Sequence, residues 1–181
     1  MKKAILAATM AVTIVGGASA QTISSFHSVE AISGITVVPG LGVNPSTVTL
    51  SAGATMTYQG VQYGITQLFG VFALSDTGAL TATAGMAPNG WNFVNNNGGG
   101  GGIAGYNANA NQNRFNPGDS GQFSFDSLSG DVTDYGFHVT LDNPNGPLGP
   151  TTYIRATPVP EPATLAGIGI AGLGLIRRKR K

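Results

Sequence analysis

Five aspartates, Asp119, Asp126, Asp131, Asp134 and Asp142, crowd into 24 positions, and carboxylate oxygens gathered at one end of a β-fold could hold a calcium ion. The spacing departs from the EF-hand pattern. Asp119 and Asp131 lie in turn-like sequence and are the calcium candidates, with side-chain bonding to the backbone of a turn as the preferred reading of both. His27 and His138 occur with several Ser and Asp residues, the components of a hydrolase triad, but no Ser sits in a G-x-S-x-G context. Trp91, Tyr58, Tyr63, Tyr106, Tyr135 and Tyr153 could offer stacking surfaces to a sugar, although aromatics in a small β-domain are mostly core residues. Gly100, Gly102 and Gly105 have the spacing of a dinucleotide loop, yet no strand-to-helix context surrounds them, so that reading is rejected. With no Cys there are no disulfides, thiol nucleophiles or thiolate zinc sites, and two His cannot form a three-His zinc site. No cofactor is implied.

The charges are polarised along the chain. Only 9% of the 181 residues are charged, and seven of the nine basic residues lie at the two ends. Over residues 21–160, Arg114 and Arg155 face seven acids, leaving a net charge of −5. An acidic body repels phosphate backbones, so nucleic acid is excluded as an expected partner. Lys2 and Lys3 precede an apolar run from Ala4 to Val15 and the small triplet Ala18-Ser19-Ala20. That order is a secretory signal peptide over residues 1–20, engaging the Sec translocon, with cleavage between Ala20 and Gln21.

The other end mirrors this arrangement. Pro158, Pro160 and Pro162 cannot continue a helix or donate to a sheet ladder, so they form an extended spacer around Glu161. An apolar run of 14 residues, 163–176, follows. As a helix it would rise about 21 Å, short of the roughly 30 Å hydrocarbon core, so spanning requires local thinning or snorkelling of flanking cations. Arg177, Arg178, Lys179, Arg180 and Lys181 then act as a membrane stop and are expected to stay cytoplasmic, leaving the proline segment outside.

The sequence Val159-Pro160-Glu161-Pro162-Ala163-Thr164, the short Gly-rich apolar run and the basic tail resemble the PEP-CTERM sorting signal, whose tail is also catalogued as an ice-binding-protein C-terminal domain. The resemblance covers about the last 23 residues and carries no implication of ice affinity. It implies that Pro160, Glu161 and Pro162 are recognised by exosortase, a membrane protease proposed to remove the helix and to release or re-anchor its substrate. It also implies an origin in an exopolysaccharide-producing Gram-negative bacterium. The chain would be transiently anchored in the inner membrane and then reach the cell surface or extracellular matrix.

Between the two signals the favoured period is two. Thr47 to Ser51, Thr55 to Tyr58, Gln122 to Asp126 and Asp134 to Leu141 alternate polar and apolar residues, the pattern of strands with one buried face. Further strands are expected over Ile23 to Val29, Ile35 to Val38, Gln67 to Leu74, Leu80 to Ala84, Trp91 to Val94 and Thr151 to Ala156. Many short strands without a long helix predict an all-β fold, an antiparallel β-sandwich or jelly roll over residues 21–157. The separate sorting signal occupies 158–181, with its transmembrane helix at 163–176 and basic tail at 177–181. Residues 95–113 hold seven Asn and six Gly in nineteen positions and are expected to be a mobile loop, with Tyr106 difficult to bury. Ser120 to Phe125 and Asp131 to Val139 also resemble a β-hairpin of exported domains bearing this tail.

These observations predict a non-enzymatic exported protein of the cell envelope or extracellular matrix. The alternatives are a carbohydrate-binding module acting in exopolysaccharide and, with less support, an envelope hydrolase.

Overall fold

The structure is a computed structural model and describes residues 22–98, 100–143 and 146–156. It is an all-β fold. A single 3-10 turn at Ile23–Ser25 leads into β1 (His27–Ser28), β2 (Ala31–Val38), β3 (Ser46–Tyr58), β4 (Val61–Ser75), β5 (Thr81–Ala84) and β6 (Trp91–Asn96). There follow β7 (Gly102–Ala108), a second 3-10 turn at Asn111–Asn113, β8 (Ser120–Phe123), β9 (Phe125–Ser129), β10 (Asp134–Leu141) and β11 (Thr151–Ala156). Among the described residues no helix is long and apolar enough to cross a membrane. The expected span at 163–176 lies outside them.

Nine of the eleven strands among the described residues form one continuous hydrogen-bonded sheet, and β4 is its pivot. The start of β4 pairs with β3, Val61 opposite Tyr58, whereas its later part runs between β10 and β7, with Val71 opposite both Phe137 and Tyr106. One half of the sheet therefore reads β1-β11-β10-β4-β7-β6, and the other joins β2, β3 and β8 to the beginning of β4. Every pairing is antiparallel except β1 with β11, where two residues run parallel and cover the outer edge of β11. β5 and β9 form a separate two-stranded sheet.

Alternation explains the core. Val48, Leu50 and Met56 of β3 meet Val71 of β4, Tyr106 of β7, Phe123 of β8, Phe137 and Val139 of β10 and Ile154 of β11 in one buried cluster. The opposite face of the six-stranded half carries a second cluster, in which Ile23 and Phe26 lie over Phe72, Leu74 and Ile103. Residues 23–29, expected as a strand, thus form a turn and only a two-residue strand, because Ile23 and Phe26 are used to roof a sheet.

The Gly/Asn-rich segment is the main correction. Residues 95–113, expected as a mobile loop, contain the end of β6, all of β7 and a 3-10 turn. Tyr106 is 2% exposed. A Cβ at Gly105 would collide with the Val71 carbonyl oxygen and lie 2.7 Å from the Phe72 Cα, so the absent side chain lets β7 lie close against β4. Apolar contact comes from the rings next to the glycine rather than from the segment's own composition, which is why counting Gly and Asn misjudged it.

Candidate functional site

The sorting residues Pro160, Glu161 and Pro162, the basic stop Arg177 to Lys181, and the signal-peptidase residues Ala18, Ala20 and Gln21 all lie outside the described residues. What is described is the strand from which the sorting segment leaves. β11 ends at Ala156, paired with Tyr135, and the preceding Arg155 ties that end to three other parts of the chain. Its Nη1 contacts Asp76 Oδ1 at 2.7 Å just beyond β4, and its Nε lies 3.7 Å from Asp134 Oδ2 at the start of β10. The same Nε donates to Ser28 Oγ of β1 at 2.9 Å. The hydrogen bond to Asp76 pushes the guanidinium pKa above its ordinary value, against a smaller opposing effect of burial.

A second concentration of polar chemistry lies on the outer face of the six-stranded half, beyond the part roofed by Phe26. Strand registers place Tyr153, His138, Gly70 and Asn107 side by side across β11, β10, β4 and β7. A bulge in β4 inserts Phe69 between the residues opposite His138 and Val139, turning its ring onto His138. The result is a row of planar groups: Tyr153 stacked on His138 with centroids 3.7 Å apart, Phe69 tilted by 43° against His138 at 3.8 Å, and the Arg114 guanidinium 4.3 Å from the Phe69 centroid. Arg114 Nη1 is held by Gln67 Oε1 at 3.1 Å. Asn107 Oδ1, Arg114 Nε and Thr140 Oγ1 are buried without a hydrogen-bond partner among the described residues.

The two titratable rings of this row, His138 and Tyr153, stay uncharged. Burial first, and the Arg114 charge second, lower the His138 pKa from 6.5 to about 3, so the imidazole is neutral and a poor base. Burial raises the Tyr153 hydroxyl to about 12, which makes it a poor acid. Both flat neighbours of His138 are aromatic rings, and its chemistry is that of a packed, uncharged side chain. The alternation of Asp134 to Leu141 puts His138 at one of its polar positions but gives no sign of Phe69 or Arg114 beside it. The bulge that brings Phe69 onto this face breaks the period of two and has no composition signal.

The remaining candidates are scattered. Asp119 Oδ2 accepts the Asn116 N–H at 2.7 Å and closes its own turn, the backbone role preferred for it above. Asp131 is exposed. Among the described residues no group of three His, Asp or Glu side chains converges where it could hold a metal ion. Trp91, Tyr63 and Tyr106 are core residues: the Trp91 indole N–H donates to Asn113 O at 2.8 Å, and the Tyr63 hydroxyl accepts the Leu148 N–H at 3.2 Å. The Tyr106 hydroxyl donates to Ser124 O at 2.6 Å and accepts the Gly85 N–H at 2.8 Å. Tyr135 is half-buried against the core, and Tyr58 meets the edge of the exposed His27 ring at 5.4 Å.

Residues 158–181 match the family model of the PEP-CTERM protein-sorting motif. The chain therefore carries that motif directly after its last described strand, and the motif marks it as an exported protein sorted by exosortase. No curated protein and no solved structure matches the chain.

Proposed function

We propose that this protein is a non-enzymatic component of the cell envelope or extracellular matrix, delivered as the β-domain passenger of its sorting motif. We read the body as a β-sandwich folded about β4, with the 163–176 segment as a transient inner-membrane span in a Gram-negative cell. The observation that carries the reading is the order of parts after β11: a proline spacer around Glu161, an apolar run, then five consecutive basic residues. The positive-inside rule holds those cations in the cytoplasm and leaves Pro160, Glu161 and Pro162 on the periplasmic side of the inner membrane, where a membrane protease can reach them. Severing the chain there would release the domain or transfer it to another anchor. The test is the intact mass of protein recovered from membranes and from medium, comparing the native chain with Pro160→Ala and Glu161→Ala. Native material outside the cell should begin at Gln21 and lack the basic tail, while the variants keep residues 163–181 in the membrane fraction. A native chain that retains its tail and stays in membranes would falsify exosortase processing.

A second reading, a carbohydrate-binding domain acting in exopolysaccharide, draws on the half-buried row of Tyr153, His138 and Arg114 on the outer face. Its polar edges could hydrogen-bond a sugar, but its flat faces are spent on one another, so it ranks below the first. Polysaccharide pull-down by the native chain that is lost in Tyr153→Ala would reverse that order.

A further inference from the structure

Only Thr157, Pro158 and Val159 separate the last residue of β11 from Pro160. Even fully extended, the four residue steps from Ala156 to Pro160 reach at most about 14 Å. A domain of this size has a radius of gyration of about 14 Å as well, so an enzyme that encloses the sorting motif meets the end of β11. The reach of the motif is thus set by how far β11 stays paired. Its last rungs are Tyr135–Ala156 and Gly136–Arg155 to β10, together with Ser28–Arg155 to β1.

Arg155 fastens those rungs from its side chain, to Asp76, Asp134 and Ser28, three points distant in sequence. When it lets go, Arg155 and Ala156 can join the spacer, and two further residue steps extend the reach by about 7 Å. β1 contributes only two residues to that side, so the opening breaks few hydrogen bonds and falls at the low end of local opening energies.

We propose that the Arg155 clamp regulates processing: the protease acts on molecules in which the end of β11 has come off the sheet, and the clamp sets how many molecules those are. This rests on the reading of 158–181 as an exosortase substrate. Arg155 is a positioning residue here, remote from the bond that is cut.

The test is a pulse-chase of the full chain in a host carrying exosortase, read as the fraction of molecules that have lost the basic tail. A ten-residue Gly/Ser insertion after Ala156 lengthens the spacer and leaves the clamp intact, and Arg155→Ala removes the clamp with the native spacer. Arg155→Ala should speed tail loss about two- to fivefold, the range expected for a partly exposed ion-pair network, and the insertion should speed it at least as much. The double variant should run no faster than the insertion alone, because a long spacer makes the clamp irrelevant. Arg155→Lys and Asp76→Asn should fall between native and Arg155→Ala. Should Arg155→Ala misfold, the insertion and Asp76→Asn decide the matter. Tail loss that needs Glu161 but ignores both the insertion and the clamp variants overturns the clamp alone. A native chain that never loses its tail overturns the sorting reading beneath it.

Discussion

The inner and outer faces of the six-stranded half of the sheet are made by alternate residues of the same strands, yet they are filled by different means. On the inner face every strand but β1 contributes large apolar side chains, and Val71, Phe137 and Ile154 pack into one cluster with Phe123 and other residues from the other half. The outer face is stripped at intervals to glycine, with Gly136, Phe72 and Gly105 in one cross-strand row. Phe26 fills the space above Gly136, where a Cβ would run into its ring. One face is thus filled by its own alternation, and the other by a segment laid on from outside. A face of the second kind depends on what is absent from the strand as much as on what is present.

The largest effect should come from the core that the inner face shares with the other half. Phe123→Ala should cost about 3–5 kcal/mol in urea unfolding, since Phe123 is fully buried among Trp91, Tyr106 and Phe115. On the outer face the informative change adds a methyl: Gly136→Ala should cost about 1–3 kcal/mol by overpacking. In a Phe26→Ala background that cost should shrink to a small remainder, and a double-mutant cycle reads the coupling. Full additivity of the two changes would show that Phe26 is not what Gly136 makes room for. An effect seen only in acid concerns the row beyond the roof. With the His138 pKa lowered from 6.5 to about 3, the unfolded chain binds a proton that the folded chain does not throughout that window. Stability should therefore fall as pH drops below about 6.5 and continue falling towards 3, and His138→Gln should flatten this limb in unfolding curves measured across that range. The smallest effect is expected at the exposed Asp131, where Asp131→Ala should change stability by less than about 0.5 kcal/mol. Added calcium should leave the melting temperature of both chains where it was.

The same contrast marks what could be read from sequence. Asp134 to Leu141 and Thr151 to Ala156 were legible to the residue, the first because polar and apolar residues alternate along it over a buried face. Thr47 to Ser51 and Thr55 to Tyr58 were seen as two strands where there is one, β3, since Gly53 at φ +72° interrupts the pattern without ending the pairing. β7 was illegible because its burial is supplied by Phe72, Phe123 and Phe125, residues that precede or follow it in sequence by more than a dozen positions. The Arg155 clamp escaped for a related reason. Asp76 and Ser28 lie 79 and 127 residues away, and nothing in the local sequence of β11 names them. The sorting signal was legible because its logic is wholly local: proline stiffness, apolar length and charge order can be judged without knowing what packs against them.

The pairing of β1 with β11 has a consequence in time. His27 lies opposite Ile154, so the first and last described strands are neighbours and the native sheet cannot close until nearly all of the chain up to the sorting motif is present. Contacts of such long sequence separation form slowly. A protein threaded across a membrane from its N-terminal end would carry an incomplete sheet for most of its passage, with β11 delivered last and the sorting motif close behind it. Delayed closure keeps the chain pliable while it is being exported, and completion of the fold then coincides with arrival of the segment that decides where the protein is sent.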